Sequence, residues 1–194
     1  MKKVAAPQEG SPPTDYTETL VSSRTGYEGK LLTLKEDQVT LPDGRSGTRE
    51  YVLHQGAAMV IPLFKDGSVL LERQFRYAVR THFLELPAGK IDPGEEPLAT
   101  ARRELLEETG YVASEWRHLA TLYPCVGYSN ERVELFVARG LEHEGHPGEE
   151  GEFLECVQLS LDEALDLVTA GEITEAKTIL GLLWADKLRK GEWT

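Results

Sequence analysis

The segment Pro97–Thr109 (PLATARRELLEET) constrains this chain most, because its ends and its faces are fixed together. Proline suits the first turn of a helix, where its missing N–H is not needed, and Gly110 can close the last turn in the left-handed conformation that other residues resist. Leu98, Ala101 and Leu105 recur on one side, so that face is committed to a core. Glu104 and Glu108 stand four apart and Glu107 three from Glu104, which crowds three carboxylates into about one turn. Like charges so spaced repel, and near the helix C-terminus the backbone dipole disfavours them by a further few tenths of a kcal/mol or so. A hard divalent cation with oxygen ligands, Mg²⁺ or Mn²⁺, turns that repulsion into coordination, whereas no His or Cys set stands nearby for zinc. The alternative is a solvated acidic face, the commoner fate of an isolated E-x-x-E-E.

The surrounding residues decide between the two. Gly89, Glu95, Arg103, Glu104, Leu105, Glu107, Glu108 and Gly110 stand in the order G-x5-E-x7-R-E-U-x-E-E-x-G, where U is bulky aliphatic. This resembles the signature of the Nudix hydrolases over residues 89–111, although the last position, usually aliphatic in that family, is Tyr111. The resemblance implies a loop-helix-loop beside a mixed sheet. It implies Glu104 and Glu108 as principal metal ligands, Glu107 as an additional ligand or water-orienting group, and the Ala88 carbonyl as a further ligand. Gly89, Glu95, Arg103 and Gly110 would then hold the motif together. The expected cofactor is Mg²⁺, with Mn²⁺ able to substitute, as two or three ions that offset phosphate charge and activate water.

Three further tracts are similar to the ADP-ribose pyrophosphatase branch of that family: Arg73-Gln74-Phe75-Arg76, His54-Gln55-Gly56-Ala57, and residues 123–132 (YPCVGYSNER). This resemblance implies that Arg76 clasps a phosphate by bidentate hydrogen bonding, with His54, Gly127 and Glu131 near substrate. It also implies that the base taking a proton from the attacking water comes from the acidic loop before Phe153: Glu152 first, Glu150 next, with Glu107 as the alternative. The expected reaction is hydrolysis of the diphosphate of ADP-ribose or a related nucleoside diphosphate sugar, giving AMP or another nucleoside monophosphate and a sugar phosphate. Dinucleoside polyphosphate, oxidised-nucleotide and coenzyme A hydrolysis are the competing activities. A non-catalytic nucleotide-sensing module is the competing class, but such members usually lose motif glutamates that are intact here.

The expected fold class is α/β (α+β), a Nudix-like mixed β-sheet sandwiched between helices. The expected division is a flexible leader over 1–14, a small N-terminal β subdomain over 15–55 that dimerises the chain, and the hydrolase domain over 56–194. The apolar run 57–64 (AAMVIPLF), a Lys65-Asp66-Gly67-Ser68 turn and the strand start at Val69 predict a core hairpin. Further strands are predicted over 82–86, 116–123, 132–138 and 153–159, and helices over Leu161–Ala170 and 175–189. Residues 141–152 (LEHEGHPGEEGE) read as an exposed loop. The formal charge of −12 argues against nucleic acid as a partner and requires local cations if the substrate is a polyanion. Cys125 and Cys156 are too few for a disulfide framework and are expected as free thiols. With neither a membrane span nor a secretory segment in the sequence, a cytoplasmic address is expected.

Overall fold

The computed structural model describes residues 15–145 and 153–193, which divide between Leu53 and His54 into two compact units. The first is an antiparallel meander of β1 (Thr19–Glu28), β2 (Thr33–Thr40) and β3 (Ser46–Leu53), in that spatial order. The Pro42-Asp43-Gly44 turn joins β2 to β3, with the Leu41 amide donating to the Arg45 carbonyl at 2.8 Å. Among the described residues of this unit, Val39 is the one buried apolar side chain. Polar cross-strand pairs such as Arg24 with Glu36 supplement the backbone ladder instead.

The second unit contains β4 (Ala57–Pro62), β5 (Ser68–Arg76), β6 (Thr81–Glu85), β7 (Ala88–Lys90) and α1 (Pro97–Thr109). It continues through β8 (Tyr111–Leu122), β9 (Val133–His143), β10 (Glu155–Ser160), α2 (Leu161–Ala170) and α3 (Ala176–Arg189). A mixed sheet has the order β7-β4-β9-β8, parallel between β4 and β9 and antiparallel elsewhere. A separate antiparallel sheet has the order β10-β5-β6.

The apolar run of β4 is explained by burial on both faces. Ala58 and Val60 pack with Ala101 and Leu105 of α1 and with Phe136 and Ala138. Met59 and Ile61 belong to the opposite core with Leu71, Leu86, Leu135 and Leu182. Each fully buried Leu contributes about 1.5–3 kcal/mol, so α1 is fastened chiefly through its apolar stripe. Tyr111, the departure from the aliphatic position, packs edge-on against Phe64 with ring centroids 5.5 Å apart and joins the same core.

Two expectations change. The β4–β5 pair does not form a core hairpin: a single bridge, Leu63 to Val69, joins their ends, and the strands enter different sheets. β4, apolar on both faces, takes a central place between β7 and β9. β5 turns polar after Leu71, where Glu72, Gln74 and Arg76 need a different environment. The predicted loop from 141 begins as strand, because Leu141, Glu142 and His143 pair with Ala113, Val112 and Tyr111. Among the described residues no helix is long and apolar enough to cross a membrane. Cys125 and Cys156 are both unbridged.

Candidate active site

α1 begins at Pro97 after an extended Glu96 and ends at Gly110, whose φ of 73° allows its amide to close onto the Leu106 carbonyl. With Leu105 and Ala101 fully buried, the helix can present Glu104 and Glu108 only toward β7. There the two carboxylates meet the Ala88-Gly89 peptide. Glu108, 6% exposed, accepts the Ala88 amide at 3.0 Å. A Cβ built on Gly89 would lie 1.9 Å from the carboxyl carbon of Glu104. A side chain at 89 would therefore take the space that the Glu104 carboxylate occupies and push that carboxylate aside.

Arg103 organises the outer side of the helix. Its Nε and Nη2 donate to Glu95 at 3.1 and 2.9 Å, its Nη1 donates to Glu104 at 2.7 Å and Glu107 at 3.0 Å, and its Nη2 reaches the Lys90 carbonyl at 3.2 Å. The guanidinium, helped by the Thr100 hydroxyl, holds the Glu95 carboxyl down at about 2. These contacts also answer the repulsion among the motif glutamates. Glu104 and Glu107 are drawn toward Arg103 while Glu108 turns inward. Consequently, among the described residues, no three acidic, His or Cys side chains converge as a ready cluster. The donor set still suits a hard divalent ion: the Glu104 carboxylate lies against Gly89 and that of Glu108 against the Ala88 amide, and the same short segment carries backbone carbonyls as further oxygen donors.

Ala88, Gly89, Glu104 and Glu108 line a cleft of about 980 Å³. Arg76, His54 and Glu131 line it too, whereas Gly127 and Glu107 do not. Gly127 is exposed in the turn after β8. Glu150 and Glu152 lie outside the described residues. His54 is fixed from both sides: its amide donates to Asn130 at 2.7 Å, and its Nδ1 accepts the Gly56 amide at 3.0 Å.

Arg76 stands differently from the sequence reading. Its Nε and Nη2 donate to Glu85, at 3.1 and 2.5 Å, so its bidentate face is already engaged within the protein. Glu85 is 6% exposed and needs that partner. The pairing raises the Arg76 pKa further, and the Glu72 and Glu108 carboxylates add to the effect. Only the Nη1 side of Arg76 has no hydrogen-bond partner among the described residues, and that is the side available to an anion.

Glu85, Glu175 and Lys177 were not singled out from the sequence, yet all three line the cleft. Lys177 Nζ sits 2.6 Å from Glu175. Glu175 also caps α3, accepting the Lys177 and Thr178 amides at 3.2 and 2.8 Å. Lys177 can thus turn toward an incoming anion while Glu175 keeps two amide donors. Glu85, two residues before Pro87, was visible as a charge inside a predicted strand. Nothing local marks Lys177, because its proximity arises from a chain return of nearly ninety residues.

A helix packed on the face of a mixed sheet, bringing glutamates against a Gly-containing strand beside a polar cleft, is an arrangement that fits a Nudix hydrolase, and the chain belongs to that family. The NUDIX domain matches residues 53–180, and a nucleoside diphosphate sugar hydrolase N-terminal domain matches residues 18–52. Among particular proteins, the chain is 37% identical to an ADP-ribose pyrophosphatase of Bacillus subtilis (strain 168), across 83% of this chain and 88% of that one. It is also 37% identical to an ADP-ribose pyrophosphatase of Mycobacterium tuberculosis (strain ATCC 25618 / H37Rv), across 84% and 80% respectively. A crystal structure of an ADP compounds hydrolase superposes with a TM-score of 0.81 at 26% identity, covering 90% of this chain and 95% of that one.

Proposed function

We propose that this enzyme hydrolyses the diphosphate linkage of ADP-ribose or a related nucleoside diphosphate sugar, releasing a nucleoside monophosphate and a sugar phosphate. The observation that carries the reading is the approach of Glu108 to the Ala88 amide and of Glu104 to Gly89, all four residues lining the cleft. The names of the two pyrophosphatase relatives and the match of residues 18–52 point to the same substrate class.

Glu104, Glu108 and the Ala88 carbonyl hold Mg²⁺, with Mn²⁺ substituting and two or three ions per site, and Glu107 is a further ligand or orients water. When bound, the ions offset the charge on the diphosphate oxygens and lower the pKa of an attacking water. The protein residues do the rest. Arg76 offers its Nη1 side to a phosphate, and Lys177 can leave Glu175 for another anionic oxygen. His54 and Glu131 bound the cleft beside the substrate. A carboxylate of the acidic loop, Glu152 before Glu150, accepts the proton from water. The enzyme acts as a homodimer in the cytoplasm: the nearly coreless N-terminal sheet supports the dimer, and two unbridged cysteines suit a reducing compartment.

The test is a panel of nucleoside diphosphate sugars, dinucleoside polyphosphates and nucleoside triphosphates, compared by kcat/KM with Mg²⁺ or Mn²⁺ and with EDTA. ADP-ribose or another nucleotide sugar should lead, with no product in EDTA. Preference for a triphosphate or a dinucleoside polyphosphate would move the assignment to another Nudix activity.

A further inference from the structure

The metal-binding turn must present the Ala88 carbonyl in a fixed place, and residues 86–88 show how it is held. The Pro87 carbonyl accepts the Val60 amide at 2.9 Å, which ties the turn to β4. The Ala88 amide donates to Glu108 at 3.0 Å, which ties it to α1. The remaining donor, the Leu86 amide, goes to the hydroxyl of Thr178 in the first turn of α3, at 2.9 Å and wholly buried. Pro87 itself has no N–H. These three bonds tie the approach to Ala88 to three different elements, β4, α1 and α3.

Thr178 is an unusual source for this bond. It is 0% exposed, and it lies ninety-two residues from its partner in sequence. Glu175 fixes the start of the same helical turn by accepting the Thr178 amide at 2.8 Å. One turn on, Gly181 lets α3 come so close that a Cβ there would stand 2.3 Å from Leu86 Cδ1. A buried threonine could have been satisfied by its own helix, as Thr109 is by the Leu105 carbonyl. Here the hydroxyl serves as acceptor for a strand end next to the metal turn.

We propose that Thr178 is a positioning residue for metal binding: through the Leu86 amide, the first turn of α3 sets the place of the Ala88 carbonyl. The inference rests on the metal-site reading above. Groups that orient metal ligands typically change metal affinity by about 10- to 100-fold when removed. Valine matches the shape of threonine but cannot accept the Leu86 N–H, whereas serine can.

The experiment is a Mn²⁺ titration of the full chain without substrate, by calorimetry or by the electron paramagnetic resonance of free Mn²⁺, beside thermal melts of the same samples. T178V should raise the Mn²⁺ Kd on the order of 10-fold, and T178S should return it close to the wild-type value. At saturating metal, T178V should recover most of its kcat/KM. A folded T178V with a lowered Tm but the wild-type Mn²⁺ Kd would overturn the proposal, leaving Thr178 a purely structural residue. Should T178V not fold, amide exchange in the wild-type protein decides: saturating Mg²⁺ should slow exchange at Leu86 several-fold, and unchanged exchange overturns the coupling. If the wild-type chain takes up no Mn²⁺ at all, the metal-site reading fails first, a result distinct from failure of the Thr178 link.

Discussion

At the scale of single residues, the site separates groups that bind from groups that hold binders in place. On the proposed reading Glu108 does both, as a metal ligand whose carboxylate also accepts the Ala88 amide. In Glu108→Gln the amide oxygen can still accept that bond, so the fold should persist. The charge owed to the metal is lost, however, and turnover should fall at least about 100-fold, several kcal/mol of transition-state stabilisation. Wild-type melting with near-normal kcat at saturating Mg²⁺ would remove Glu108 from the ligand set. Arg76→Ala should have two effects. Stripped of its partner, the buried Glu85 should cost about 1–3 kcal/mol of stability, and KM should rise through loss of the Nη1 donor. Urea melts and kinetics on Arg76→Ala with Glu85→Gln separate these: the double variant should regain stability and keep the raised KM. A double variant that regains KM as well would show that Arg76 acts only through Glu85.

At the scale of elements, α1 was legible because its limits depend on Pro97 and Gly110, residues whose backbone preferences are local. α2 was equally legible, and its start carries a full capping box between Ser160 and Glu163. The split of β4 and β5 into separate sheets was not legible. Periodicity reports burial but not which neighbour provides it, and β4 finds its partners at β7 and β9, across a chain separation no local pattern records. The Glu95–Arg103 tie, which joins the segment before α1 to the helix, makes a pH prediction. The Glu95 carboxyl is held near 2 by Arg103, below its ordinary 4.5, so its contribution to stability is complete above about 4.5 and is lost as the pH falls toward 2. Urea unfolding should show wild type more stable than Glu95→Gln at pH 6, with the gap closing through that window. A gap that stays constant from pH 6 to 2 would exclude the tie as the cause. Gly89→Ala tests the packing between β7 and α1: its Cβ must displace the Glu104 carboxylate, so metal affinity should fall far more than Tm.

At the scale of the whole molecule, the N-terminal unit poses the sharpest physical question. Legible there were the strands and the Pro42-Asp43-Gly44 turn, because turn chemistry is local. What those strands pack against was not legible, since all ten residues of β1 are exposed and the described unit buries one apolar side chain. A three-stranded sheet with so little core is marginal alone. A ten-residue edge strand also presents unpaired backbone groups that proteins normally cover. Leu20 and Val21, 59% and 66% exposed, are apolar positions on that strand. Covering them in a second copy of the chain satisfies both demands, and light scattering on a sizing column should give twice the mass of one chain at micromolar concentration. Leu20→Glu and Val21→Glu together should shift that mass toward the single chain and lower the melting temperature, because two charges would have to be buried in the contact. A wild-type chain that runs as a monomer at every concentration, with unchanged melting in the double variant, would mean that the sheet is stable without a partner.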